Sequence, residues 1–355
     1  MEPRDLSAHV AYEAGRGVEE VARDLGLDPE SLVKLSSNEN AYGPAPKAAE
    51  AIREYAPNVH TYPKSSAADL REALAERWAV TPSQVWLANG GDGALDYLAR
   101  AMLDPGDGVL VSKPGFAYYA MSARYHHGTV SEYPIRKSED FEQTAEAVLQ
   151  HYDGERIVYL TSPHNPSGSE MSLSEVETLA DATDEETLVV VDEAYGEFSD
   201  SPSAVALVEE RDDVAVLRTF SKAYGLAGVR LGYAIVPGEW ADAYARVNTP
   251  FAASEIACRA GLAALNDPDH VEKTVEGARW ARQYMYDELD CHTWESSGNF
   301  VLCDVDDGSA VAEAAQREGV IVRDTTSFGL PECIRVTCGT REETKRAVEV
   351  VNELV

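Results

Sequence analysis

One lysine of this chain, Lys222, lies among hydroxyl, glycine and arginine residues in the segment 218–230. A lysine amine can condense with an aldehyde, and it is a good nucleophile only when burial or a neighbouring cation favours its neutral form. Arg230 is the candidate cation. Thr219 and Ser221 can donate hydroxyl hydrogen bonds to phosphate oxygens, which Arg230 can also bind as a fixed fork. The segment therefore indicates a site for an aldehyde cofactor that carries a phosphate, although a Ser-Lys pair alone is more often a surface turn.

A carboxylate follows an apolar run at Asp192. Residues 188–191 are Leu-Val-Val-Val, which is typical of a buried parallel strand. The carboxylate would then emerge at the carboxyl end of a strand, where open α/β sheets bind ligands. There it could keep a pyridine nitrogen protonated and strengthen a cofactor as an electron sink. Taken without its partners, an aspartate in this position is more often a turn or helix-cap residue.

A glycine-rich turn supplies a second phosphate-binding element. Gly91, Asp92 and Gly93 belong to the segment 89–93 and precede residues 94–103, whose apolar spacing predicts a helix packed on a sheet. The amino end of such a helix presents free N–H groups to an anion. Glycine-rich turns are common, so this turn is informative only together with the other motifs.

Four motifs, in this order and at this spacing, resemble those of the fold-type I pyridoxal-phosphate enzymes, the aspartate aminotransferase superfamily. They are the segments 89–93, 161–168, 191–195 and 221–230. The resemblance implies pyridoxal 5'-phosphate as the cofactor, with Lys222 as its tether and proton carrier and Asp192 at the ring nitrogen. It implies that Asn165 and Tyr195 hydrogen-bond the phenolic oxygen of the ring, and that Phe116 stacks on the ring. The superfamily usually has Asp-Glu where this chain has Asp92 and Gly93.

Further segments look like those of the histidinol-phosphate aminotransferases over nearly the whole chain. They are the segments 35–44, 62–63, 297–302, 322–324 and 334–340. The resemblance implies that Arg323 and Arg335 clamp the phosphate of histidinol phosphate, a bidentate task for which lysine is a poor substitute. It also implies that Tyr12 closes over the imidazole end of the substrate. Tyr62 would reach across a homodimer to the partner's cofactor phosphate, so that the active site needs two subunits.

The implied reaction moves the amino group of histidinol phosphate to 2-oxoglutarate in histidine biosynthesis, and no metal is expected. Two enzymes of the same fold stay open as alternatives: an aromatic amino acid aminotransferase and a threonine-phosphate decarboxylase. A different class is a cofactor-binding module of a transcription regulator that has no catalytic activity. The first 35 residues are too few and too acidic for a helix-turn-helix, which argues against that class.

The composition indicates a habitat. The chain has 62 acidic and 30 basic residues, a formal net charge of −32. Such a charge repels nucleic acid and anionic membranes and destabilises the compact state unless ions screen it. We therefore expect a cytoplasmic enzyme of a salt-loving microbe, similar to haloarchaeal members of the family. Five cysteines without a Cys-x-x-Cys pair predict reduced thiols, and neither a signal peptide nor a membrane span is expected.

Alternating strand and helix patterns place these motifs in an α/β fold. The predicted strands cover residues 84–88, 108–111, 156–160, 187–191, 214–218 and 232–236, in a mostly parallel sheet covered by helices on both faces. One long helical stretch over 254–290, short strands at 299–303 and 335–338 and a final helix from residue 342 predict a smaller carboxyl-terminal α/β domain. The expected division is 35–247 for a large cofactor-binding domain and 248–355 for the small domain, against which residues 1–34 pack.

Overall fold

The computed structural model of the chain describes residues 6–7, 9, 15, 17–64, 67–240 and 242–355. The strands of these residues are β1 Val33–Leu35, β2 Val85–Asn89, β3 Gly108–Lys113, β4 Thr129–Pro134, β5 Ile157–Thr161, β6 Leu188–Asp192, β7 Val214–Thr219, β8 Leu231–Ile235, β9 Phe300–Asp304, β10 Val320–Asp324 and β11 Cys333–Thr337. The α-helices are α1 Val18–Leu25, α2 Pro46–Tyr55, α3 Ala68–Trp78, α4 Gly90–Met102, α5 Tyr118–Tyr125, α6 Ala145–Leu149, α7 Leu173–Ala182, α8 Val205–Val208, α9 Tyr244–Val247, α10 Glu255–Leu265, α11 Pro268–Glu288, α12 Gly308–Arg317 and α13 Arg341–Asn352. Within the part of the chain described, no helix has the length and apolar character needed to cross a membrane.

A seven-stranded sheet forms the larger part of the molecule. Its strand order is β2-β8-β7-β6-β5-β3-β4, and only β8 runs antiparallel to its neighbours. Every residue of β6 is buried, and Val189 and Val191 enter one apolar cluster while Leu188 and Val190 enter another. Alternate side chains therefore fill the two faces, as expected for a parallel sheet covered by helices on both sides. The predicted mostly parallel sheet is confirmed.

A smaller four-stranded sheet has the order β1-β10-β11-β9. The amino-terminal strand β1 pairs parallel with β10, with Val33 opposite Val320. A shared apolar cluster contains Phe300 and Val301 of this sheet together with Tyr195 and Ala223 from loops of the large sheet. The two sheets therefore meet where the candidate cofactor residues lie. The division of the chain into domains at residues 34 and 247 stays a prediction.

The helical stretch predicted over 254–290 consists of two helices in the structure. Helix α10 ends at Leu265 and α11 begins at Pro268. A proline lacks the N–H that a helix interior needs, but it is favoured in the first turn, where that donor has no partner within the helix.

Candidate active site

Neighbouring strands bring the predicted cofactor residues to one edge of the large sheet. Lys222 follows the carboxyl end of β7, and Asp192 is the last residue of the adjacent parallel strand β6. Because β8 is antiparallel to β7, its amino end lies at the same edge, and Arg230 immediately precedes it. The antiparallel direction of β8 therefore places Arg230 at the same edge of the sheet as Lys222.

The Lys222 amine donates a hydrogen bond to the Ser37 carbonyl oxygen at 3.2 Å and lies 5.6 Å from the centre of the Tyr195 ring. Its loss of water on burial lowers the pKa of Lys222 to about 8, and the positive charge of Arg335 acts in the same direction. Arg230, the cation that the sequence suggested, contributes less to this lowering than burial and Arg335 do. The amine therefore has a substantial neutral fraction near pH 8 and can act as nucleophile and base.

A cradle of donors surrounds the start of α4. Gly90 has φ +77°, which favours glycine, and its lack of a Cβ leaves room for the Arg230 guanidinium. Arg230 Nη2 pairs with Asp92 Oδ2 at 2.9 Å. The Thr219 hydroxyl donates to Ser221 Oγ at 3.0 Å. Two hydroxyls, a guanidinium and helix-terminal amides thus converge, which is the donor set that a phosphate group requires.

Asp192 is buried and accepts two hydrogen bonds. The Tyr119 hydroxyl donates to Oδ2 at 2.6 Å, and the Ala194 amide donates to Oδ1 at 2.9 Å. Burial raises the pKa of Asp192 to about 6, and both hydrogen bonds oppose that rise. The structure thus gives the buried Tyr119 a polar contact with this carboxylate. Phe116 lies against Tyr119 edge to face, with ring centres 5.5 Å apart.

The segment after β1 links the lysine to the small sheet. Arg335 Nη2 donates to the Ser36 carbonyl oxygen at 2.9 Å, and Arg335 Nη1 donates to Asn165 Oδ1. Asn38 Nδ2 donates to the Tyr195 hydroxyl oxygen at 2.9 Å. The segment belongs to a family motif, but no local pattern predicts a role for Asn38, because its partner Tyr195 lies 157 residues away.

The two arginines proposed for the substrate lie side by side. Arg323 of β10 is directly opposite Arg335 of β11 in the antiparallel register. Their guanidinium carbons lie 5.6 Å and 5.8 Å from the centre of the Phe328 ring. Arg323 Nη2 also donates to Ser327 Oγ at 3.0 Å. Two positive charges are therefore held next to each other, and that of Arg335 also acts on Lys222.

Tyr62 lies apart from these residues. Its side chain is 82% exposed and stacks on Phe251, with ring centres 4.7 Å apart. It therefore offers its hydroxyl at the surface of this subunit, and its predicted contact with a partner's cofactor stays a prediction. Tyr12 lies outside the described residues.

The residues present fit pyridoxal 5'-phosphate. The glycine cradle and its donors match the phosphate, the buried carboxylate of Asp192 matches the ring nitrogen, and the Lys222 amine matches the aldehyde. Tyr195 accepts a hydrogen bond from Asn38, and Asn165 accepts one from Arg335, which also donates to the Ser36 carbonyl oxygen. The polar atoms of Asn165 and Tyr195 therefore lie near the same segment, 36–38. The sequence prediction of their roles stays a prediction.

Comparison with known proteins agrees with this assignment of chemistry. The family described as aminotransferase class I and II matches residues 30–351. A histidinol-phosphate aminotransferase of Natronomonas pharaonis is 79% identical over 355 residues, which covers 100% of both chains. One of Haloarcula marismortui is 69% identical, over 100% of this chain and 99% of that one. The crystal structure of histidinol-phosphate aminotransferase from Sinorhizobium meliloti in complex with pyridoxal-5'-phosphate has a TM-score of 0.87 at 28% identity, over 96% of this chain and 94% of that one.

Proposed function

The chain belongs to the class I and II aminotransferases, and from this premise we propose that it transfers the amino group of L-histidinol phosphate to 2-oxoglutarate. The products are imidazole-acetol phosphate and L-glutamate, in L-histidine biosynthesis, with pyridoxal 5'-phosphate as cofactor. The full-length similarity to haloarchaeal histidinol-phosphate aminotransferases supports the substrate. The structural observation that carries the proposal is the cross-strand pair Arg323 and Arg335, of which Arg335 lies close enough to Lys222 to lower the pKa of its amine.

When bound, pyridoxal 5'-phosphate supplies an electron sink for the charge that develops at the α-carbon of the substrate. The negative charge of Asp192 would keep a proton on the ring nitrogen, and Tyr119 and Ala194 fix the direction of its carboxylate oxygens. The cofactor phosphate would be held by Arg230, by the hydroxyls of Thr219 and Ser221, and by the amides of Gly91, Asp92 and Gly93.

Lys222 moves the proton. Its pKa of about 8 gives a neutral amine that can take a proton from the α-carbon and return it to the cofactor side. The Ser37 carbonyl oxygen orients the amine by accepting its hydrogen bond. The same lysine is thus tether, base and acid within one turnover.

Arg323 and Arg335 bind the phosphate group of the substrate. Guanidinium groups bind phosphate through two parallel hydrogen bonds, and histidinol phosphate carries a phosphate where most amino donors of the fold carry a carboxylate. In the second half-reaction the same pair accepts the carboxylates of 2-oxoglutarate and glutamate. Phe116 would cover the cofactor ring, and Asn165 and Tyr195 would hydrogen-bond its phenolic oxygen.

The enzyme acts in the cytoplasm as a homodimer. The exposed pair Tyr62 and Phe251 supports a partner subunit, because large aromatic side chains at a surface are typical of protein interfaces. In this arrangement Tyr62 of each subunit completes the phosphate site of the other, and each dimer has two shared active sites.

The visible absorbance of the purified protein in concentrated potassium chloride tests the function. Added pyridoxal 5'-phosphate should give a visible band that histidinol phosphate removes and 2-oxoglutarate restores. A band that responds only to aromatic amino acids, or release of carbon dioxide from threonine phosphate, would contradict the substrate and leave the fold and Lys222 in place. A protein that gives no band with added cofactor would refute the enzyme assignment.

A further inference from the structure

Asn38 combines burial with an unusual backbone conformation. Its side chain is 1% exposed, and its φ is +53°, in the left-handed region. Residues other than glycine rarely adopt this region, although asparagine tolerates it better than most. Such a conformation persists only where the surroundings determine it, and it is found preferentially at functional sites. The contacts of Asn38 show what determines it here.

Each polar atom of Asn38 has a defined role as hydrogen-bond donor or acceptor. Its amide N–H donates to Thr337 Oγ1 at 3.0 Å, and the Thr337 hydroxyl donates back to Asn38 Oδ1 at 3.0 Å. Asn299 Nδ2 donates to the Asn38 carbonyl oxygen at 3.1 Å. The side-chain oxygen of Asn38 therefore faces the Thr337 hydroxyl, and its NH₂ group faces Tyr195.

The orientation of the Asn38 amide makes the Tyr195 hydroxyl oxygen an acceptor. Its oxygen accepts from Asn38 Nδ2 at 2.9 Å, so its own proton is left to point away from Asn38. The charged groups that face Tyr195 are the amine of Lys222 over its ring, Arg335 and Asp192. The hydroxyl proton of Tyr195 is therefore available to an acceptor other than Asn38.

We propose that Asn38 is a positioning residue that holds the Tyr195 hydroxyl as a donor to the phenolic oxygen of bound pyridoxal 5'-phosphate. The inference rests on the proposed function. A donor at that oxygen draws electron density from the conjugated system of the cofactor and weakens the binding of the titrating proton there. The midpoint pH at which the visible band of the bound cofactor changes is thus lowered by the donor and rises when the donor is turned away.

The substitution Asn38→Asp tests the polarity at nearly constant shape. Aspartate also tolerates positive φ, but its carboxylate accepts hydrogen bonds only, so Tyr195 would donate to residue 38 instead of the cofactor. We expect the spectral midpoint to rise by roughly one pH unit. Asn40→Asp is the matched control, because it adds a carboxylate to the same segment at a residue whose side chain contacts Ala223 and Thr274.

The substitution Tyr195→Phe separates an action through Tyr195 from the added charge. If Asn38 acts through the hydroxyl, the shift caused by Asn38→Asp should shrink to that of the Asn40→Asp control when both variants are made in the Tyr195→Phe protein. An unchanged shift in that background would overturn the inference while leaving the proposed function intact. If the Asp variant does not fold, Asn38→Gly keeps the positive φ and is judged in the same way, by whether its shift depends on Tyr195.

The unsubstituted protein keeps the two proposals distinguishable. A normal visible band and turnover, combined with shifts independent of Tyr195, would contradict only the role of Asn38. Absence of the band in the unsubstituted protein would refute the proposed function and this inference with it. Thermal unfolding of each cofactor-free variant identifies a shift that comes from a damaged fold, which would count against the role of Asn38.

Discussion

Arg323 and Arg335 face each other across the β10–β11 pairing, and both guanidinium groups lie within 6 Å of the centre of the same ring, that of Phe328. Like charges repel, so holding two of them side by side requires compensation from neighbouring groups. Hydrogen bonds from Arg335 to the Ser36 carbonyl oxygen and from Arg323 to Ser327 Oγ provide part of it. Two adjacent guanidinium groups of this kind suit a ligand with two negative charges.

Replacing either arginine should weaken the binding of the substrate phosphate. For Arg323→Gln or Arg335→Gln we expect KM for histidinol phosphate to rise roughly 10- to 100-fold, the loss typical of a charged hydrogen bond to phosphate. Steady-state kinetics with histidinol phosphate and with phosphate-free histidinol measure the effect. Arg317→Gln is the control, since Arg317 pairs with Glu313 on the exposed face of α12. An equal loss with both substrates would contradict phosphate recognition.

Removal of the Lys222 amine should stop the proton transfer. For Lys222→Ala we expect turnover to fall at least about 1,000-fold, while the cofactor still binds through its phosphate and ring contacts. Stopped-flow absorbance and equilibrium dialysis measure the two effects. The exposed Lys273→Ala, on α11, serves as the matched control. Normal turnover of the Lys222 variant would refute its catalytic role.

The positive charge of Arg335 should lower the pKa of Lys222. Arg335 is the main charged group that lowers the pKa of Lys222, after burial. In Arg335→Gln that pKa should rise above about 8, so that a higher pH is needed to obtain the neutral amine. The pH dependence of the rate at which the cofactor-free protein forms the visible band reports this change, and a midpoint that stays or falls would contradict it.

The ionised carboxylate of Asp192 should lower the free energy of unfolding of the cofactor-free chain. Its pKa is raised from 3.8 to about 6 in the folded chain, so its contribution to stability falls as the pH rises through that interval and stays low above it. We expect the cofactor-free Asp192→Asn protein to be more stable at pH 8 by roughly 1–3 kcal/mol, with a smaller gain near pH 5. Turnover should fall at least about 100-fold. Denaturant unfolding at both pH values checks the sign, and Asp181→Asn at the surface is the control.

Much of this site could be predicted from the sequence because local chain pattern determines it. Lys222 and Asp192 follow apolar strands, and the ends of parallel strands meet at one edge of a sheet. The contact between Tyr119 and Asp192 spans 73 residues, and no local pattern encodes it. Strands β1, β4 and β10 were missing from the predicted strands. The first has only three residues, and its place is fixed by pairing with β10, so tertiary contacts decide it.

Two variants together should reveal whether active sites are shared between subunits. Lys222→Ala and Tyr62→Ala proteins, each of low activity, should regain roughly a quarter of normal activity when unfolded together and refolded, because half of random dimers are mixed and have one intact site of two. Activity after mixing, with each variant refolded alone as the control, is the measurement. No recovery, with mixed dimers demonstrated by a tag, would place Tyr62 outside the partner's site.

Three consecutive residues after β1 each serve a different contact: Ser36 accepts from Arg335, Ser37 accepts from Lys222, and Asn38 donates to Tyr195. Strand β1 fixes one end of this tripeptide by its register with β10. An insertion or deletion of a single residue here would move all three contacts out of phase together. The length of this short connection is therefore under as strict a constraint as the identity of any side chain in the site, and homologous enzymes that keep the chemistry should show gaps elsewhere before they show one here.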